Sequence, residues 1–122
     1  MGNAKEDLIS GASYWGKAED QFKLGNHYFT GANDFQQDYT KAIEWYLRAA
    51  NQGHAKAQFT IGYCYEFGDG VEQNQAEALY WYYAAFNNGD QEAKARIEEL
   101  EEELPNPVIK QMKAKARRLH DN

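Results

Sequence analysis

At 122 residues the chain is one domain's worth, and a compact chain of this size buries roughly two-thirds of its unfolded surface, enough for a real core. Apolar residues make up 43% and aromatic residues 15%, with proline only at 105 and 107, which excludes a disordered or fibrous chain. A net charge of -6 argues against a nucleic-acid partner, no apolar run approaches the roughly 18 residues of a membrane span, and the single cysteine, Cys64, excludes an internal disulfide.

The first fifteen residues place Lys5, Glu6 and Asp7 before a short Leu8-Ile9 and lack the basic start and apolar stretch of a secretion signal. That favours a cytoplasmic location if this N-terminus is native, and a periplasmic or secreted one if a leader was trimmed. Leu8, Ala12 and Gly16 stand 37 residues before Trp45, Ala49 and Gly53, so residues 4–15 are expected to form a lone helix, half of a repeat.

The repeat itself is read next. Gln21-Phe22-x-x-Gly25-x-x-Tyr28-x-x-Gly31 returns as Gln58-Phe59-x-x-Gly62-x-x-Tyr65-x-x-Gly68, every member displaced by 37. A period of this length marks stacked helical units, none of which buries its apolar face alone. Repeat one spans 18–54 and repeat two 55–90, each predicted as two helices. Gly31 and Gly68 close the first helix, since glycine accepts the left-handed cap. Asp38 and Asn74 open the second, and Asn74 with Glu77 has the spacing of a capping box. Gly53 and Gly89 end it. These second halves are displaced by 36, so one residue is extra between Gly31 and Asp38.

Ala42, Trp45 and Ala49, answered by Ala78, Trp81 and Ala85, set a large ring between small residues on one helix face. Gly25 and Gly62 sit mid-helix, where glycine costs about 1 kcal/mol against alanine, and close helix contact is the expected compensation. Tyr80, Trp81, Tyr82 and Tyr83 are consecutive and point all ways round a helix, so at least one is expected to be exposed, as an interface residue.

Downstream, Ala93, Ile97 and Leu100 stand 36 after Ala57, Ile61 and Cys64, extending a first-type helix through Leu104 with Glu98 in place of the packing glycine. Asn106-Pro107 reads as N-cap and first helical residue of a last helix, with Val108, Ile109, Met112, Ala116 and Leu119 on one face. Residues 91–120 are thus a capping pair, and the count is seven helices in one all-α domain. Glu98, Glu99, Glu101, Glu102 and Glu103 precede Lys110, Lys113, Lys115, Arg117 and Arg118 on the next helix, and the two are expected to pair with each other. A basic arm for membrane or nucleic acid is the weaker reading, because acid lies beside it.

Ala55-x-Ala-Gln-x-x-Ile-Gly62-x-x-Tyr65-x-x-Gly68-x-Gly70-Val71 through Ala78-x-x-Trp81-x-x-x-Ala85 resembles a Sel-one-like repeat, and residues 18–54 are similar to it. The first repeat departs where Gly-x-Gly-Val becomes Gly31-Ala-Asn-Asp-Phe35. The resemblance implies a tetratricopeptide-like solenoid of antiparallel helix pairs, a non-catalytic adaptor role, and an inner face lined by the first helix of each pair. On that face Asn26, Tyr63 and Glu99 are equivalent, as are Phe29, Glu66 and Glu102, and Thr30, Phe67 and Glu103. The gradient from neutral and aromatic to acidic suits a basic or aromatic segment of a partner protein or peptide. Phe29 and Phe67 as core, with the glutamates as a solvated face, is the competing reading. An inhibitor or immunity-type protein with one cognate partner is not separated from an adaptor.

Enzyme chemistry has few candidates. Ser10 and Ser13 lack the lysine or glycine context of a serine nucleophile, no phosphate loop is present, and His27, His54 and His120 share no metal-ligand spacing, so neither metal nor cofactor is expected. His27 and Cys64 are 37 apart and could form a nucleophile and base. Their third equivalent is Leu100, which favours a buried packing position. A small hydrolase or β-lactam-binding protein, a role associated with some cysteine-rich relatives, stands as the alternative class, although the paired cysteines of those relatives are missing. Sequence leaves the oligomeric state undetermined.

Overall fold

The computed structural model describes residues 4–12 and 16–121. Seven helices and no strand lie among them: α1 (Ala4–Ser10), α2 (Ala18–Thr30), α3 (Tyr39–Asn51), α4 (Ala55–Phe67), α5 (Gln75–Asn87), α6 (Ala93–Glu103) and α7 (Asn106–Asp121). The expected helix over 4–15 is met by α1 and its continuation to Ala12, while 13–15, with Ser13, lie outside the described residues.

Helix ends follow the chemistry of their cap residues. Gly31 and Gly68 both take φ 75° and return their N–H groups to His27 and Cys64 carbonyls. Asp38 accepts from the Lys41 N–H and Asn74 from the Glu77 N–H, each at 3.0 Å. The capping box expected at Asn74 is only half formed. The Asn74 N–H donates to the Tyr65 carbonyl at 2.8 Å, and the Glu77 carboxylate faces Lys115 of α7 at 3.1 Å. Asp38 does the same to the Tyr28 carbonyl at 2.7 Å, so the return of the chain onto the first helix, and not the box, satisfies both N-cap donors.

The glycines at the middle of α2 and α4 are where each helix pair closes. A Cβ on Gly25 would stand 2.6 Å from the Tyr46 ring, and one on Gly62 2.8 Å from the Tyr82 ring. Tyr46 and Tyr82, both fully buried, are therefore the rings that interlock with the glycines. Trp45, placed by the alanine pattern at the centre, is only half-buried and carries Arg48 over its ring. Phe22 and Phe59 back the two tyrosines at 5.7 and 5.4 Å. The amide pair repeats as well: Gln21 Oε1 accepts from Gln52, and Gln58 Oε1 from Asn88, at 2.8 and 3.0 Å.

Helix α5 corrects a further expectation. Tyr80, Trp81, Tyr82 and Tyr83 are all buried, because α4, α6 and α7 pack around three sides of the helix. No ring of this run keeps more than 7% of its surface exposed. The charged tail also differs from expectation, for α7 lies along α5 and not along α6. Among the described residues no ion pair joins the α6 carboxylates to the α7 cations; Lys115 pairs with Glu77 of α5 and lies 4.2 Å over the Tyr80 ring. Arg96, inside α6, takes Glu66 and Glu99.

The extra residue in repeat one has a packing role. Asn33 and Asp34 adopt positive φ and turn Phe35 inward, onto Leu24 and Ala12 and edge-on to Tyr28 at 4.9 Å. Lys5 of α1 lies over the same ring and donates to the Asp34 carbonyl at 3.2 Å. The insertion thereby ties the N-terminal helix to repeat one.

Candidate functional site

The six side chains expected on the inner face separate into two groups. Asn26, Phe29 and Glu66 are engaged inside the fold. The Tyr46 hydroxyl donates to Asn26 Oδ1 at 2.6 Å, and Phe29 is half-buried and stacked on Tyr39 with centroids 4.7 Å apart. Glu66 is only 7% exposed. Its carboxylate accepts from the Tyr82 hydroxyl at 2.7 Å and from both Nε and a terminal nitrogen of Arg96. An occupied, buried carboxylate offers nothing to a partner, so the expectation for Glu66 is corrected to a structural role. Desolvation and the bond to Glu66 raise the Tyr82 hydroxyl well above the ordinary tyrosine range, and the same carboxylate raises the Arg96 guanidinium.

Tyr63, Glu99 and Glu102 face outward. Tyr63 is 45% exposed and leans on Phe67, one helical turn on and 50% exposed, with ring centroids 4.7 Å apart. Arg96 lies 5.6 Å over the Phe67 ring and holds Glu99 at 3.2 Å, so one guanidinium links the buried carboxylate, the exposed ring and the exposed carboxylate. Glu102 is exposed on the same helix as Glu99. The result is a pair of exposed rings that Arg96 joins to Glu99, with the Glu66–Arg96 pair beneath.

Two members of this arrangement were not among the expected six. Phe67 stood in the sequence only as the third ladder and as a core candidate; its position in the last turn of α4, beside the Gly68 cap, is the feature that leaves it uncovered. Arg96 has no counterpart at equivalent positions, where Lys23 and Thr60 stand, and a lone arginine among five glutamates was the available clue.

The nucleophile reading of Cys64 does not survive the geometry. Cys64 is fully buried and burial pushes its thiol up to about 12, while His27 is committed to Asn33 at 3.0 Å and stacked on Phe35. A buried thiol with so little thiolate is inert. Among the described residues no cluster of three His, Cys, Asp or Glu side chains has the arrangement of a metal site, and no helix is long and apolar enough to cross a membrane.

Comparison with known proteins gives a consistent result. The Sel1 repeat family model matches residues 18–54 and 55–90. Among curated proteins, the chain is 52% identical over 48 residues to the chitin synthase regulator SKT5 of Saccharomyces cerevisiae, covering 38% of this chain and 7% of that one. It is 35% identical over 55 residues to HRD3A of Arabidopsis thaliana, an ERAD-associated E3 ubiquitin-protein ligase component, covering 45% of this chain and 8% of that one. The chain thus spans less than a tenth of these relatives' length. Among solved structures, a Sel1 repeat protein from Oxalobacter formigenes superposes with a TM-score of 0.72 at 38% identity, over 77% of this chain and 38% of that one. A protective antigen of uropathogenic Escherichia coli strains, displaying an SLR fold, superposes with a TM-score of 0.86 at 27% identity over 97% of this chain and 25% of that one. With two family repeats over more than half its length, arranged as the solved members arrange theirs, the chain belongs to the Sel1 repeat family.

Proposed function

We propose that the chain is a non-catalytic protein-binding module that takes a basic or aromatic segment of a partner on the platform formed by Tyr63, Phe67, Glu99 and Glu102. One observation carries this reading: two large rings stand about half exposed, side by side, on a helix whose Ala57, Ile61 and Cys64 are buried. Uncovered neighbouring aromatics beside carboxylates favour a partner that brings an apolar side chain and a positive charge. Asn26 and Phe29 stand at equivalent positions one repeat earlier, and Glu66 fixes the platform from inside through Arg96. The names of the curated relatives, a regulator of chitin synthase and a component of a ubiquitin ligase, fit a module that works through other proteins.

Parallel capture from a lysate of the native organism tests the proposal, using the wild type and a variant carrying Tyr63→Ala, Glu99→Lys and Glu102→Lys. Proteins retained by the wild type and lost by a variant of unchanged circular dichroism support the platform. Retention of the same proteins by both would move the binding surface elsewhere.

A further inference from the structure

The wedge between α6 and α7 is a second place where the fold is left open, and its cause is readable in the repeat. Pairs α2–α3 and α4–α5 close because a mid-helix glycine receives a tyrosine ring. In the last pair Glu98 stands where that glycine would be, so the same closure is chemically unavailable. Helix α7 instead packs on α5. A groove of about 380 Å³ remains, floored by Tyr83, Phe86 and Ile97, with Glu98 on its α6 wall and Lys113 and Arg117 on its α7 wall.

Several features point to a ligand of definite chemistry. Phe86 is one of the few large apolar residues left substantially exposed, and it lies in this floor. The Tyr83 hydroxyl is fixed by a 2.9 Å bond to Glu101, and Lys113 lies over the Tyr83 ring, so the floor is held in place. Among the described residues no ion pair crosses the groove, and neither Glu98 nor Arg117 has an ion-pair partner. Glu101 and Lys94 also line the α6 side, so that wall is mixed with acid in excess, while the α7 wall is basic alone.

We infer that this groove is a second docking site, which accepts an amphipathic helix of a partner protein. The helix lays an aromatic or aliphatic anchor against the exposed Phe86, above the buried Tyr83 and Ile97, with a basic residue on the flank facing Glu98 and an acidic residue on the flank facing Lys113 and Arg117. This is helix-in-groove recognition, with apolar anchors giving affinity and flanking charges giving orientation. The site is independent of the Tyr63–Phe67 platform.

Fluorescence anisotropy with three labelled, end-capped synthetic helices tests it. All carry Leu-Phe anchors at i, i+3 and i+7; one has Lys on both flanks, one Glu on both, and one Lys on one flank and Glu on the other. The mixed probe is expected to bind at least fivefold tighter than either uniform probe. Phe86→Ala is expected to weaken it about tenfold, and Glu98→Lys to transfer the preference to the all-Glu probe, while Tyr63→Ala leaves the ranking unchanged. Absence of binding by the mixed probe, equal affinity for all three, or a ranking that survives Glu98→Lys in a variant of unaltered helicity would each overturn the proposal.

Discussion

The pair α4–α5 and the pair α6–α7 descend from one repeat pattern, yet one is locked and the other splayed. In the first, Gly62 admits the Tyr82 ring, and the Tyr82 hydroxyl reaches past it to Glu66. In the second, Glu98 occupies the glycine position, and α7 turns away to cover α5. The difference teaches that closure of a pair in this chain depends on one backbone-deep contact. Charge cannot substitute for that contact: five glutamates and five cations sit on consecutive helices, and no ion pair joins them among the described residues.

Removing α7 breaks the comparison most severely. Deletion of residues 105–122 uncovers the α5 face on which Met112 and Ala116 are buried, and is expected to abolish the cooperative melt or cause aggregation, read by circular dichroism and light scattering. An unchanged melt would show that α7 is not a cap. Next in size is Arg96→Met, which leaves the Glu66 carboxylate buried with only a tyrosine hydroxyl. The cost expected in urea denaturation is about 3 kcal/mol, the low end for an unpaired buried charge because Arg96 is itself partly exposed.

Alanine at equivalent positions sharpens the contrast directly. Gly62→Ala places a methyl 2.8 Å from a ring hemmed in by core, and is expected to cost about 1–3 kcal/mol despite alanine's better helix propensity. Glu98→Ala, on the open wall, is expected to change stability by no more than about 0.5 kcal/mol. Equal effects in the two variants would remove the distinction between locked and splayed pairs.

The smallest effect near neutrality concerns protons. Burial lifts Cys64 from 9.0 to about 12, and burial also lifts Tyr46, Tyr82 and Tyr83. The unfolded chain gives up these protons first, so their contribution is complete below about pH 9 and is lost as pH rises towards 12. Urea midpoints should be flat between pH 7 and 8.5 and fall above pH 9. Native Cys64 should resist iodoacetamide at pH 8 and react once unfolded.

Much of this architecture was legible because a repeat is a ruler. Gly25 and Gly62 announced close contact, Gly31 and Gly68 announced left-handed caps, and the one-residue offset located the loop that carries Phe35 inward. The ruler failed where a side chain's fate depends on the next repeat. Glu66 falls at the position of Phe29, but Arg96 comes from α6 and has no equivalent upstream, so the buried pair was invisible to an alignment of the chain with itself. Tyr80 to Tyr83 misled for a related reason: a helix with neighbours on three sides buries rings that would be exposed on a helix with one. Tyr46 and Tyr82 were masked by the adjacent tryptophans, whose spacing from the alanines was equally regular.

The proposal that Tyr63, Phe67, Glu99 and Glu102 form the binding platform is tested most directly by titration calorimetry with a partner identified by capture. The wild type is compared with the variant carrying Tyr63→Ala, Glu99→Lys and Glu102→Lys. A Kd at least tenfold weaker is expected for the variant, with an unchanged melting temperature. Equal Kd values would contradict it.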